Sequence, residues 1–213
     1  MNIGVLGTGL VGQTIGSKLV QLGHKVMMGS RDEANPKAVT WAKQENHNAL
    51  FGTFANTAAF SEIIFNCTLG TASLDALHQA GAANLKGKIL IDTANPIVYT
   101  GVWSLTVCNT DSLGEQIQRA FPDTQVVKSL NTMNVNVFID PEKLLERTDV
   151  FVSGNSADAK ATVSTILRSF GWKSIIDLGD ITTSRAVEMY MLLWRVLRIA
   201  TSSHRFNIKV VHS

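Results

Sequence analysis

The chain has 213 residues, of which 45% are hydrophobic and 17% charged, against a charged share of about 25% in an average soluble domain. This excludes an intrinsically disordered chain, and the shortage of charge points to surface hidden by a partner subunit. Lys plus Arg is 19 and Asp plus Glu is 17, a formal charge of only +2, so no basic stripe marks a nucleic-acid partner.

Two cysteines, Cys67 and Cys108, are too few for a disulfide framework or a zinc cage. The opening MNIGVLGTGL lacks the basic and apolar regions of a secretory signal, and no apolar run approaches the length of about 20 residues that spans a bilayer. A soluble, cytoplasmic protein without a membrane partner is expected.

In chain order, short apolar runs alternate with helical patterns. Residues 2–6 read as a strand entering the glycines of GTGLVG. Residues 10–22 read as a helix with Val11, Ile15, Leu19 and Leu22 on one face and Gly23 at its stop. A strand over 25–28, a helix over 36–47 and a weaker strand at 49–51 follow. Strands 62–66 and 88–92 flank a helix over 71–80, and a helix over 112–121 leads to strand 125–130. Strand 149–153, helix 157–170 and strand 174–178 come next, then helix 182–200 and a weak strand at 206–211. Runs rich in Val and Ile with little polar alternation suit strands covered on both faces. The succession predicts an α/β fold of Rossmann type: a doubly wound, mainly parallel sheet with helices on both faces. No repeat, linker or low-complexity tract divides it, so one domain over 1–213 is expected, with a short helical extension from about residue 180.

The sharpest local signal is Gly7-Thr8-Gly9-Leu10-Val11-Gly12 between the first strand and helix. Gly7 permits the tight turn, Gly9 admits a pyrophosphate to the backbone, and Gly12 allows close helix–strand packing, while free N–H groups at the helix start face the anion. The dinucleotide is chosen after the second strand. NAD sites place a carboxylate there, but this chain reads Met27-Met28-Gly29-Ser30-Arg31. A guanidinium holds a 2′-phosphate through paired hydrogen bonds, so Ser30 and Arg31, helped by Thr8 and Lys37, are expected to select NADP(H). The alternative makes Asp32 the NAD acid and leaves Arg31 solvated.

No catalytic acid or base stands out. Tyr-x-x-x-Lys, HExxH, GxSxG and the P-loop are all absent. His24 precedes the second strand, His47 and His78 fall in predicted helices on solvated faces, and His204 and His212 lie in the tail. Neither a catalytic side chain nor a metal ligand is assigned. Hydride exchange between two rings needs chiefly proximity and orientation.

Three strand-end loops are expected to line that exchange. Cys67, Thr68 and Leu69 follow one strand, with Cys67 read first as a small core residue. Asn95 and Pro96 follow the next and serve the nicotinamide or simply a turn. Asn131, Thr132, Met133 and Asn134 follow the third, as the substrate side. Lys128, inside that last strand, is read as solvated, with the site as its alternative.

GTGLVG, GSRDEA, NCTLG, DTANP, KSLNTMN and DLGDITTSRAVE together resemble the NADPH-dependent coenzyme F420 reductase family, in particular its bacterial dinucleotide-binding branch of F420-dependent NADP oxidoreductases. The resemblance runs from Asn2 to about Val211 and implies hydride transfer between NADPH and a deazaflavin or flavin. It implies that Ser30 and Arg31 bind the 2′-phosphate, and that Asn95-Pro96 and the Asn131–Asn134 loop approach the nicotinamide and the acceptor. Archaeal members carry a histidine in that last loop where this chain has Asn131-Thr132-Met133-Asn134, so coenzyme F420, FMN and FAD all stay open as acceptors. The module also resembles the cytosolic NADPH domain of membrane metalloreductases, which keeps a free-standing ferric or flavin reductase as an alternative. A non-catalytic NADP-binding redox sensor is a further one.

The predicted helix over 182–200 opens on a Thr182/Thr183 cap and is apolar around most of its circumference. One stripe would dock it on the sheet, so the excess predicts a homodimer through this helix. Arg195, Arg198, Arg205 and Lys209 read as a loose basic cluster, solvated or attracting an anionic acceptor tail.

Overall fold

The computed structural model describes residues 1–45 and 47–212. Its main sheet is built from β1 (Asn2–Leu6), β2 (Lys25–Ser30), β3 (Ala49–Thr53), β4 (Ile63–Asn66), β5 (Ile89–Asp92), β8 (Gln125–Ser129), β9 (Asp149–Gly154) and β10 (Ser174–Asp177). Between β5 and β8 lies a separate antiparallel hairpin, β6 (Ile97–Tyr99) and β7 (Trp103–Leu105). Among the described residues the main sheet has the order β10-β9-β8-β5-β4-β1-β2-β3. β1 to β5 and β8 run parallel, β9 is antiparallel to β8, and β10 follows β9 in parallel. This is the mainly parallel, doubly wound sheet that the apolar runs predict.

Alternate strand residues feed two cores. Val5, Phe65, Ile91 and Val127 point to one face, with Ile15 and Leu19 of α1 (Leu10–Gln21), Trp41 of α2 (Pro36–Gln44), and Val163 and Leu167 of α8 (Ala157–Ser169). Leu6, Ile64, Leu90 and Val126 point to the other. There they meet α3 (Phe54–Phe60), α4 (Ser73–Ala80), α5 (Ala82–Leu85) and α6 (Leu113–Ala120) through Ala58, Leu77, Leu85 and Ile117. Burial on both faces is why these strands lack polar alternation. Gly23, at φ +84°, ends α1, with its N–H on the Val20 carbonyl and that of His24 on Leu19.

Several expectations need correction. The strand at 49–51 extends to Thr53, and Thr53 then caps the unpredicted α3 by accepting from Asn56 N at 3.1 Å. Helix α2 stops at Gln44; His47 lies in an exposed turn, and Asn46, within the predicted helix, lies outside the described residues, as does Ser213 at the end of the predicted domain. Residues 206–211 form no strand: β8 pairs only with Val152–Gly154 of β9, and at the other end of β9 the tail makes a single backbone bond, Asp149 N donating to the Ile208 carbonyl at 3.0 Å. The last helix, α9 (Ser184–Ala200), opens on a 3-10 turn over Ile181–Thr183 capped by Asp180, and Thr183 gives α9 no side-chain cap. The predicted basic cluster does not form as one group: Lys209 pairs with Glu146 at 2.7 Å, whereas Arg195 stacks on Trp103. Among the described residues no helix is long and apolar enough to cross a membrane.

Candidate functional site

Because β1, β2, β4, β5 and β8 are parallel, the loops that follow them converge on one sheet edge, where ligands bind in such folds. The three glycines of the first loop serve different ends. Gly7 has φ +114°, and a Cβ there would lie 2.7 Å from the Cys67 carbonyl oxygen. A Cβ on Gly12 would lie 2.0 Å from the Gly7 carbonyl oxygen, so these two are fixed by the turn's own packing. A Cβ on Gly9 would meet nothing within 4 Å. Gly9 is also the N-cap of α1 and offers no side-chain oxygen, and the first turn holds no acidic residue. The helix start therefore presents N–H groups and its positive dipole end to an open approach, the chemistry of an anion site. Thr8 accepts Gln13 Nε2 on its carbonyl at 3.0 Å, Val11 packs on the core, and Leu10 is exposed.

At the end of β2, Ser30 is buried and its hydroxyl donates to the Asp32 carbonyl. The Asp32 carboxylate accepts Ala34 N at 3.0 Å and so closes its own turn, while Arg31 and Lys37 are exposed. Asn35 caps α2 by accepting from Lys37 N at 3.0 Å, with Pro36 following in the first turn.

After β4, buried Asn66 organises the loop. Its amide donates to Asp92 at 2.8 Å and Ser73 at 3.0 Å, and its carbonyl oxygen accepts the Thr68 hydroxyl at 2.7 Å. Burial pushes the Cys67 thiol up to about 12, against a smaller lowering by the Thr93 hydrogen bond, so Cys67 is a protonated packing group on the core. Leu69 is 77% exposed at the rim. A Cβ on Gly70 would lie 2.0 Å from the Asn95 carbonyl oxygen, which brings this loop against the next.

Asn95 and Asn131 bond each other: Asn95 Nδ2 donates to the Asn131 carbonyl and Asn131 Nδ2 to Asn95 Oδ1, both at 2.9 Å. Asn131 Nδ2 also donates to the Val187 carbonyl at 3.1 Å, which uses both of its N–H donors, whereas Asn95 keeps one. Pro96 is buried behind Asn95. Leu130, a non-glycine residue at φ +65°, turns the chain out of β8. Thr132 and Met133 are buried, Met133 within the core, and half-buried Asn134 caps α7 (Val135–Phe138) through Asn136 N. The loop taken as the substrate side thus turns most of its side chains inward.

Lys128 is the clearest correction. It is not solvated but fully buried, with Nζ 2.7 Å from Asp92, 2.8 Å from Glu188 and 2.5 Å from the Ala94 carbonyl. Burial pushes its amine down, yet the two carboxylates outweigh that and hold its pKa above the ordinary lysine value. Glu188 also accepts from Leu113 N at 2.8 Å and Gly114 N at 3.0 Å, so the group ties β5, β8, α6 and α9 together under the loops. Asp92, Glu188 and Asn66 escaped the sequence reading. The available signal was Asp92 and Lys128 closing two apolar runs, and they are register partners. On α9, Val187, Glu188, Met191 and Trp194 face inward, while Met189, Leu192, Leu193, Val196 and Ile199 are exposed.

Residues 2–96 match the family described as NADP oxidoreductase, coenzyme F420-dependent. The F420-dependent NADP reductase of Methanothermobacter marburgensis is 24% identical over 229 residues, covering 100% of this chain and 99% of the relative. Metalloreductase STEAP3 of Rattus norvegicus is 27% identical over 190 residues, 87% of this chain, and the match spans only 35% of that relative's length. Among solved structures, an Arthrobacter sp. FB24 protein with a provisional assignment as an F420-dependent NADP-reductase is 45% identical, with a TM-score of 0.94 and 99% of each chain covered.

Proposed function

Since the chain belongs to the coenzyme F420-dependent NADP oxidoreductase family, and so is an NADP-dependent oxidoreductase, we propose that it transfers a hydride between NADP(H) and a flavin or deazaflavin of the coenzyme F420 type. The observation that carries this reading is the open approach to Gly9 at an uncapped helix start, while Gly7 and Gly12 are closed by packing. In this reading Gly7 to Gly12 receive the pyrophosphate, and Thr8 stands beside it. Exposed Arg31, with Lys37, takes the 2′-phosphate, and the Ser30 hydroxyl joins them by turning from the Asp32 carbonyl to which it donates. In the NAD alternative Asp32 would accept from the ribose 2′-hydroxyl, but its carboxylate already closes its own turn on Ala34 N.

Thr68, Leu69 and the half-buried Cys67 wall the ribose side, and the remaining N–H of Asn95, held by Asn131 and backed by Pro96, orients the nicotinamide amide. Bound NADP(H) supplies or takes up the hydride. The chain's own part is to hold the two rings face to face, exclude water through Leu10 and Leu69 at the rim, and keep the Asn131–Asn134 loop rigid through the Lys128 group. No side chain is assigned a proton transfer.

We further assign the exposed apolar face of α9 to a twofold contact with a second copy, and the whole chain to one domain. Met189, Leu192, Leu193, Val196 and Ile199 follow a helical stripe, as a self-complementary interface requires.

Oxidation of NADPH measured with FMN, riboflavin and coenzyme F420 in parallel tests the reading. Turnover with at least one ring is expected. Tight NADPH binding with none reduced would instead leave a nucleotide sensor.

A further inference from the structure

The hairpin β6–β7 is anchored on the loop after β5: Ile97 N donates to the Asn95 carbonyl at 2.8 Å and Thr106 N to the Pro96 carbonyl at 2.7 Å. It packs between the Gly70–Ala72 turn and α9, so it stands directly beside the edge assigned to the nicotinamide. The Tyr99 and Trp103 rings lie 4.8 Å apart on it, with Tyr99 62% exposed. The Arg195 guanidinium stacks on Trp103 at 3.9 Å from the ring centroid. Stacking occupies its face and leaves the terminal N–H donors of the guanidinium for an oxyanion.

Two further observations mark this place as built for a ligand. Arg195 has no carboxylate partner among the described residues, and its Nε is buried without a hydrogen bond. Trp194 is 5% exposed and its Nε1 is likewise buried and unpartnered, with the ring held by stacking on Phe206 at 5.5 Å. Buried donors of this kind are costly unless something accepts from them. Burial and the charge of Arg198 both lower the Arg195 pKa, so the guanidinium is a cation short of an anion.

We infer that Tyr99, Trp103 and Arg195 form the acceptor's recognition subsite, which takes a planar conjugated ring carrying an anionic side chain and selects it through Arg195. The inference rests on the hydride-transfer reading for the identity of the ring, and on the hairpin for the subsite itself. Aromatic rings favour offset stacking on such a platform, and the arginine discriminates between rings that differ only in charge.

FMN and riboflavin share one ring and differ by a phosphate, so they are the probes. Their dissociation constants, read from quenching of flavin fluorescence, and their KM values are measured at low salt. Wild type is expected to prefer FMN about tenfold, which corresponds to about 1.4 kcal/mol. Arg195→Met should reduce that preference to about one, and Arg195→Lys should restore part of it. Lys86→Gln, an equal charge loss before β5 at the opposite sheet edge, should leave the preference intact. Coenzyme F420 with and without its acidic tail repeats the comparison for a carboxylate source. Equal affinity of wild type for FMN and riboflavin, or an unchanged preference in Arg195→Met, would overturn the inference. Arg195-dependent FMN binding without NADPH oxidation would instead remove the hydride-transfer reading and leave the subsite standing.

Discussion

From β1 to β5 the sheet is joined by strands such as Ile63–Asn66 and Ile89–Asp92, whose apolar side chains divide between two cores, and its loops turn on glycines. After β8 the direction of the strands reverses, and the carboxyl-terminal helix is fastened by buried Lys128, Asp92 and Glu188. The first region is stabilised by burial that tolerates small changes in shape. The second adds to its own apolar core, with Val150, Val163 and Trp172, a buried charged group that needs every partner present. The comparison suggests a division of labour, in which the first region frames the nucleotide and the second fixes the acceptor side to α9.

The largest effect should come from breaking the charged group. Lys128→Met leaves two buried carboxylates and should cost about 3–5 kcal/mol in denaturant unfolding. Lys128→Met with Glu188→Gln should cost less than the sum of the two single changes. In the other region Ile64→Val should cost only about 0.5–1.5 kcal/mol. Equal losses would erase the contrast between the regions.

Next come the two glycines of the turn, which should separate stability from binding. Gly12→Ala drives its Cβ toward the Gly7 carbonyl and should destabilise by about 1–3 kcal/mol. Gly9→Val enters open space with an allowed φ of −79°, so it should change stability by about 1 kcal/mol or less while weakening NADPH at least about tenfold. Calorimetric titration beside thermal melting reads both. Smaller still is the effect on assembly: Leu193→Glu should convert a dimer to a monomer by light scattering with the melting behaviour of the monomer retained. A wild-type monomer would remove the α9 interface. Finally, iodoacetamide at pH 8 should label exposed Cys108 and spare Cys67, because burial raises the Cys67 pKa and disfavours its thiolate. Rapid labelling of Cys67 would show the loop after β4 to be open.

The same division explains what could be read in advance. The Gly7–Gly12 turn, the Gly23 stop and the Asn35-Pro36 helix start are local requirements of φ, capping and hydrogen bonding, so each is written in a few adjacent residues. The alternation of Ile63, Ile64 and Phe65 between the two cores likewise follows from strand geometry. Helix α3 was not legible because it has only seven residues and follows a strand without a break, and each hairpin strand has only three. Lys128 was misread because its partner Asp92 is 36 residues away, and Glu188 reaches Leu113 across 75. Nothing near Lys128 in the chain announces either carboxylate. For the same reason the basic residues near the end read as one cluster, although Arg195 belongs to Trp103 on the hairpin and Lys209 to Glu146.

The central claim is that the first crossover binds NADP(H) through the open helix start and grips its 2′-phosphate with Ser30 and Arg31. Calorimetric titration of wild type and Arg31→Ala with NADPH and NADH tests it most directly. Wild type should favour NADPH, and Arg31→Ala should lose about 1.5–3 kcal/mol for NADPH with little change for NADH, as expected for one charged hydrogen-bonding contact. Equal loss for both nucleotides, or a wild type that binds neither, would contradict the account.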